Sequence, residues 1–175
     1  MAVCPFCLPW PRTSVTVSPD GTSVYVAAVL GDAVAVFDRA ADGTLTQKTG
    51  LAGCISEDGS GGDCTDGKGL DGANSVTVSP DGKSVYVAAL TSNAVAVFDR
   101  AADGALTQKT GLAGCISQTG SGGDCTLGRA LVGAISVTVS PDGKNVYAAS
   151  SSSSAVAVFD RAANGALTQK AGAAG

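Results

Sequence analysis

From residue 14 the chain alternates. Val15 and Val17 fall on one side, with Ser14, Thr16 and Ser18 on the other, the two-residue period of a β-strand. Ser18-Pro19-Asp20-Gly21 then interrupts the pattern. Proline presets the φ angle of a tight turn, aspartate caps it locally and glycine accepts positive φ. A second strand is predicted over residues 23–28, with Val24 and Val26 on one face and Tyr25 on the other. Residues 29–32 make a second turn. A third strand over residues 33–39 sets Val34 and Val36 opposite Ala35 and Phe37. Ala41-Asp42-Gly43 makes a third turn, and a fourth strand begins at Leu45. Four strands joined by short turns predict an antiparallel meander.

The same pattern returns with a period of 61 residues. Ser14, Ser75 and Ser136 each begin the string SVTVSPDG, and residues 14–74 match residues 75–135 at 48 of 61 positions. The expected organisation is an irregular segment 1–13, blade-like units at 14–53, 75–114 and 136–175, and Gly-rich inserts at 54–74 and 115–135. Both faces of the two middle strands are apolar, whereas a sheet with one wet face alternates cleanly. One such unit cannot cover both of its own faces, so neighbouring copies must stack on it. A repeated four-stranded meander with both faces buried predicts an all-β chain of β-propeller blades.

The string SPDGKSVYVAALTSNAVAVFDRAADGALTQ at residues 79–108 resembles the YVTN-type and lactonase-like β-propeller repeats. The SPDG turn, the VYVA strand, the AVAVFDR strand and the G-x-LT entry to the outer strand carry the likeness. It implies a propeller fold and, in the lactonase-like class, hydrolysis of a lactone at the central channel by acid–base groups. Propellers close with about 4–8 blades, so three blades form an incomplete ring or open array. Three resolutions are open: a longer parent chain, which the phase of the repeat favours, pairing of two chains, or head-to-tail addition into a filament.

Composition narrows the function. The net charge is −4 and no basic run exists, which argues against nucleic acid as a partner. The longest apolar run, residues 24–30, is far short of a membrane-spanning helix. Residues 1–13 are broken by Pro5, Pro9 and Pro11 and carry no readable signal peptide. The chain has no histidine, which removes the commonest general base and metal ligand.

Six cysteines form three local pairs. Cys54 with Cys64 and Cys115 with Cys125 are read as disulfides stapling the inserts, with a metal or redox site as the alternative, and such staples place the chain outside the cell, at its surface or in the periplasm. Cys4 and Cys7 form a C-x-x-C motif without the helix that redox chemistry needs, and are read as a further local pair. The first insert carries Glu57, Asp58, Asp63, Asp66 and Asp71, a calcium-like set. The second insert has Gln118, Thr119, Leu127 and Val132 at four of those places, so no metal or other cofactor is expected. Asp38-Arg39, Asp99-Arg100 and Asp160-Arg161 are read as ion pairs or turn contacts fixing each blade.

Recognition is expected where the copies differ most, in the second turns: Val29, Leu30, Gly31 and Asp32; Leu90, Thr91, Ser92 and Asn93; Ser151, Ser152, Ser153 and Ser154. Copies this alike lack the unlike residues that catalysis brings together. The expectation is therefore a non-enzymatic extracellular scaffold, whose partners are further blades or copies of itself and an extracellular ligand. A lactonase-like hydrolase is the alternative.

Overall fold

The computed structural model describes residues 12–172. The first blade runs β1 (Arg12–Val17), β2 (Ser23–Ala28), β3 (Ala33–Arg39) and β4 (Leu45–Gln47). Its insert adds β5 (Cys54–Ser56) and β6 (Thr65–Asp66). The second blade repeats this as β7 (Ala73–Val78), β8 (Ser84–Ala89), β9 (Ala94–Arg100), β10 (Leu106–Gln108), β11 (Cys115–Ser117) and β12 (Thr126–Leu127). The third holds β13 (Ala134–Val139), β14 (Asn145–Ser150), β15 (Ala155–Arg161) and β16 (Leu167–Gln169). The expected antiparallel meander is present in all three.

The inserts extend the sheets. In blade 1 the far half of β3 pairs with β4 through Phe37–Gln47, while its near half pairs with β5 through Ala35–Cys54. The disulfides Cys54–Cys64 and Cys115–Cys125 fix the start of β5 and β11 to the chain just before β6 and β12, at Cα separations of 4.9 and 4.8 Å. Cys4 and Cys7 lie outside the described residues. Each insert also straps the following blade: Gln108 exchanges hydrogen bonds with the backbone of Lys68, and Gln169 with that of Arg129. Closing so short a loop contributes about 2–3 kcal/mol. Reduction is therefore expected to lower the thermal midpoint markedly, and an unchanged midpoint in reductant would refute the staple.

Cores lie between blades. Tyr25, Val34, Val36, Ile55 and Leu70 of the first blade pack against Val76, Val85, Val87 and Phe98 of the second. Tyr86, Val95, Val97, Ile116 and Leu131 pack likewise against Val137, Val146 and Phe159 of the third. The strand period explains this: Tyr86 points to blade 3 while its neighbours Val85 and Val87 point to blade 1. The first strands β1, β7 and β13 lie against one another, so they line the inner side, and the short fourth strands lie outside. The ring is not closed.

A polar contact recurs at both junctions. Arg100 Nε donates to the Tyr25 hydroxyl at 2.7 Å and its Nη2 to Asp20 at 2.8 Å. Arg161 makes the same bonds to Tyr86 and Asp81 at 2.8 and 2.9 Å. The Tyr25 and Tyr86 hydroxyls donate onward to the carbonyls of Gly104 and Gly165. A Cβ on Gly104 would sit 2.1 Å from Ser23 Oγ, so only glycine lets the two blades approach. Burial pushes the Asp81 carboxyl up, but the Ser79 hydroxyl, the Arg161 guanidinium and the Lys83 amide outweigh it and hold it at about 2.

The Asp-Arg dipeptides do form ion pairs and turn contacts, but with residues outside the dipeptide. Adjacent strand residues point to opposite faces. Asp38 and Asp99 instead bind Lys48 and Lys109 of their own blades at 2.8 and 2.6 Å, and Asp160 binds Lys170. Arg100 and Arg161 cross to the preceding blade. The turn role assigned to Asp20 and Asp81 is likewise only half of what they do.

Candidate functional site

The variable second turns project from one end of the blades, and the connections entering β7 and β13 run beside them. Each turn needs its last residue at positive φ: Asp32 at 47°, Asn93 at 52° and Ser154 at 49°. Asp and Asn tolerate that conformation better than most residues. Their side chains are then placed to accept a hydrogen bond from the next connection. Asp32 Oδ1 accepts from the Gly72 amide and Asn93 Oδ1 from the Gly133 amide, both at 2.7 Å.

Leu30 and Leu90 extend their side chains to solvent, while the Leu90 amide donates to the Gly72 carbonyl at 2.9 Å. Val29 is half-buried, and Gly31 closes its turn with an amide bond to the Ala28 carbonyl. Ser92 Oγ accepts from the Asp71 amide and Ser153 Oγ from the Val132 amide. The Thr91 amide donates to the Asp71 carbonyl, and the Ser151 hydroxyl donates to the Gly133 carbonyl. Ser152 and Ser154 complete the third turn.

The junction from blade 1 to blade 2 differs from the next junction in charge. Glu57 accepts from the Leu70 amide, and its own amide donates to the Asp32 carbonyl at 3.0 Å. Asp71 directly precedes Gly72, whose amide donates to Asp32 Oδ1 at 2.7 Å. At the second junction the corresponding residues are Gln118, Asn93 and Val132. Gln118 accepts from the Leu131 amide at 2.9 Å, the same role as Glu57. The amides therefore keep every backbone contact of Asp32 and Glu57 and discard the charge.

Burial pushes the Asp71 carboxyl above the ordinary aspartate range, and the negative charge of Asp32 pushes it further. Burial also raises Glu57, partly opposed by the Leu70 and Asp71 amides. Both shifts favour the protonated form of these carboxyl groups, which lie near the entry to an inner strand. Among the described residues no group of three metal-ligating side chains converges.

The sign of these shifts gives a test. A carboxyl whose pKa is raised on folding favours the folded state fully below its unfolded value, about 4, and loses that advantage as pH rises through the folded value. The charges at this junction therefore cost stability at neutral pH. Asp32→Asn/Glu57→Gln/Asp71→Val, which copies the second junction, is expected to melt higher than wild type at pH 7. The gap should close near pH 4, and a lower midpoint at pH 7 would show that the carboxylates are needed for the fold.

The model of the lactonase, 7-bladed beta-propeller family matches residues 11–174. The chain belongs to that family. Among solved structures, this lactonase-family chain is similar to a candidate 6-phosphogluconolactonase from Bacteroides uniformis, at a TM-score of 0.65 and 21% identity over 90% of this chain and 38% of that one. It is also similar to the periplasmic gluconolactonase of Pseudomonas aeruginosa, at a TM-score of 0.58 and 21% identity over 91% and 41%. These likenesses show the propeller fold, and the chain spans about two-fifths of those proteins' length. No curated protein matches.

Family membership corrects the expectation of a non-enzymatic scaffold. The near-identity of the copies misled, because the few differences between them still set three carboxyl groups at one junction. The two disulfides are compatible with an extracellular or periplasmic location. Among the described residues no helix is long and apolar enough to cross a membrane.

Proposed function

We propose that the chain contributes the acid–base group of a lactone-hydrolysing propeller in the periplasm or outside the cell. The observation that carries this reading is the placing of Asp71, with its raised pKa, beside Asp32 at the entry to the inner strand β7 of a lactonase-family chain. Asp71 in its carboxylate form takes a proton from water as that water's oxygen attacks the lactone carbonyl. The tetrahedral adduct then expels the ring oxygen, and the proton on Asp71 passes to that leaving alkoxide. The product is the open hydroxy acid. A base with a raised pKa suits this role, because proton transfer works best with a group poised near the working pH.

The neighbours named above suggest a sugar-acid lactone as substrate. The three carboxyl groups Asp32, Glu57 and Asp71 repel an anionic substrate, which favours the unphosphorylated lactone. The test is gluconolactone hydrolysis followed in a pH-stat against the spontaneous rate. Acceleration that disappears in Asp71→Asn supports the proposal. A rate equal to the spontaneous one, or acceleration that Asp71→Asn leaves intact, overturns it.

A further inference from the structure

A groove at the junction of blades 2 and 3 lies at the opposite end of the blades from the second turns. Consecutive strands run antiparallel, so the first and third turns share that end. The groove has a volume of about 750 Å³, and its lining includes Asp81, Lys83, Asp99 and Lys109 of blade 2 and Asn164 of blade 3. Small-molecule sites span about 300–1,000 Å³. The close approach of Gly165 to Ser84 brings Asn164 and Lys83, their chain neighbours, to the same groove.

The two junctions differ in charge at this end as well. Lys83 stands where blade 1 has Thr22, and Asn164 where blade 2 has Asp103. At the first junction Thr22 Oγ1 accepts from Arg100 Nη2 at 3.2 Å and donates to Asp20 at 2.9 Å. A lysine ammonium has no acceptor, so Lys83 cannot repeat that contact with Arg161. Lys83 bonds through its backbone, its amide donating to Asp81 and its carbonyl accepting from the Arg100 amide. Asn164 Oδ1 accepts from the Ala166 amide at 3.1 Å, as Asp103 Oδ1 does from the Ala105 amide at 3.0 Å. The asparagine keeps the turn and removes its charge.

The carboxylates of the groove are already matched. Asp81 holds Arg161 at 2.9 Å and Asp99 holds Lys109 at 2.6 Å, while Arg100 is committed to Asp20. Among the described residues the Lys83 ammonium and the Asn164 Nδ2 are left as donors without an acceptor. Packing does not explain either change, since both side chains are exposed.

We propose that this groove binds the oxyanion group, carboxylate or phosphate, of a small molecule, with the Lys83 ammonium and the Asn164 Nδ2 as its donors. Relative to the first junction, one position gains a positive charge and the other loses a negative one, and both changes favour an anion. The groove and Asp71 lie at opposite ends of the blades, so the proposal does not depend on the hydrolytic reading.

Magnetic resonance titration of the isotope-labelled chain reads binding residue by residue. Sodium gluconate and inorganic phosphate are the probes, with glucose and sodium chloride at matched ionic strength as controls. Saturable shifts are expected at the amides of residues 81–83 and 163–164 with one or both probes and with neither control. A response to gluconate alone assigns a carboxylate, and a response to phosphate alone a phosphate. Lys83→Thr/Asn164→Asp, which copies the first junction, should weaken binding about tenfold, the effect of one hydrogen bond to a charged group. Lys83→Arg keeps the charge and should retain binding.

Thermal unfolding checks the fold of each variant. Where the double variant does not fold, Asn164→Asp alone, which copies Asp42 and Asp103 of the other blades, should still weaken binding. No saturable shift up to about 10 mM probe, an equal response to chloride, or binding untouched in the folded variants would each overturn the proposal.

Discussion

Asp71→Asn is expected to reduce lactone hydrolysis by about 10²–10⁴-fold, the usual worth of a positioned general base, while the blade stays folded. The expectation of an intact fold rests on the molecule's own comparison. Val132 occupies the corresponding place at the second junction, and the connection around it keeps the same backbone bonds, from the Val132 amide to Ser153 and the Gly133 amide to Asn93. Asp32→Asn should act differently. It keeps the acceptor for the Gly72 amide, as Asn93 does for Gly133, and removes the charge that helps hold the Asp71 carboxyl up.

The acidic limb of the rate profile should therefore move to lower pH in Asp32→Asn, with activity retained above it. The sign is fixed: a raised carboxyl is protonated, and idle as a base, over a wider acid range than an ordinary one. Removing a neighbouring negative charge lowers that pKa and opens the range. Initial rates between pH 3 and pH 8 for wild type and Asp32→Asn decide it. An unmoved limb would separate Asp71 from the reaction.

Turns and strands were legible because they are local. Ser18-Pro19-Asp20-Gly21 announces its own geometry, and the opposition of Tyr25 to Val24 and Val26 requires a neighbour on each side. The contacts between blades were not legible in the same way. Arg100 meets Asp20 across 80 residues, and nothing at either position names the other. The adjacent Asp99 is a more obvious partner, and only the strand's alternation removes it. The acidic cluster was hidden for a related reason, since Asp32 comes from a turn and Glu57 and Asp71 from the two ends of the insert.

A signal for that cluster was nevertheless present. Where the copies differ, Asp32 becomes Asn93 and Glu57 becomes Gln118, changes that preserve shape and remove charge. The same comparison that argued against a calcium site in the inserts, by asking whether each copy keeps its ligands, marks one junction as chemically distinct. Asp71 against Val132 completes it. Substitutions between repeats carry most information where they are isosteric, because packing then does not explain them.

The largest stability effect is expected at Phe98. Phe98→Ala should cost about 3–5 kcal/mol, a large share of the 5–15 kcal/mol typical of a whole domain. The ring is fully buried among Tyr25, Val36, Val85 and Val87, between two blades that both depend on it for cover. The repeat supplies graded controls. Val95→Ala removes a fully buried side chain facing blade 3, whereas Val156→Ala, the same substitution at the same place in blade 3, removes one that is 54% exposed. The first should cost about 1–2 kcal/mol, in line with the transfer term for a buried valine, and the second close to nothing. Denaturant unfolding of the three variants would place Phe98→Ala lowest and Val156→Ala beside wild type. Equal losses at Val95 and Val156 would mean that the blade 3 face is covered in solution.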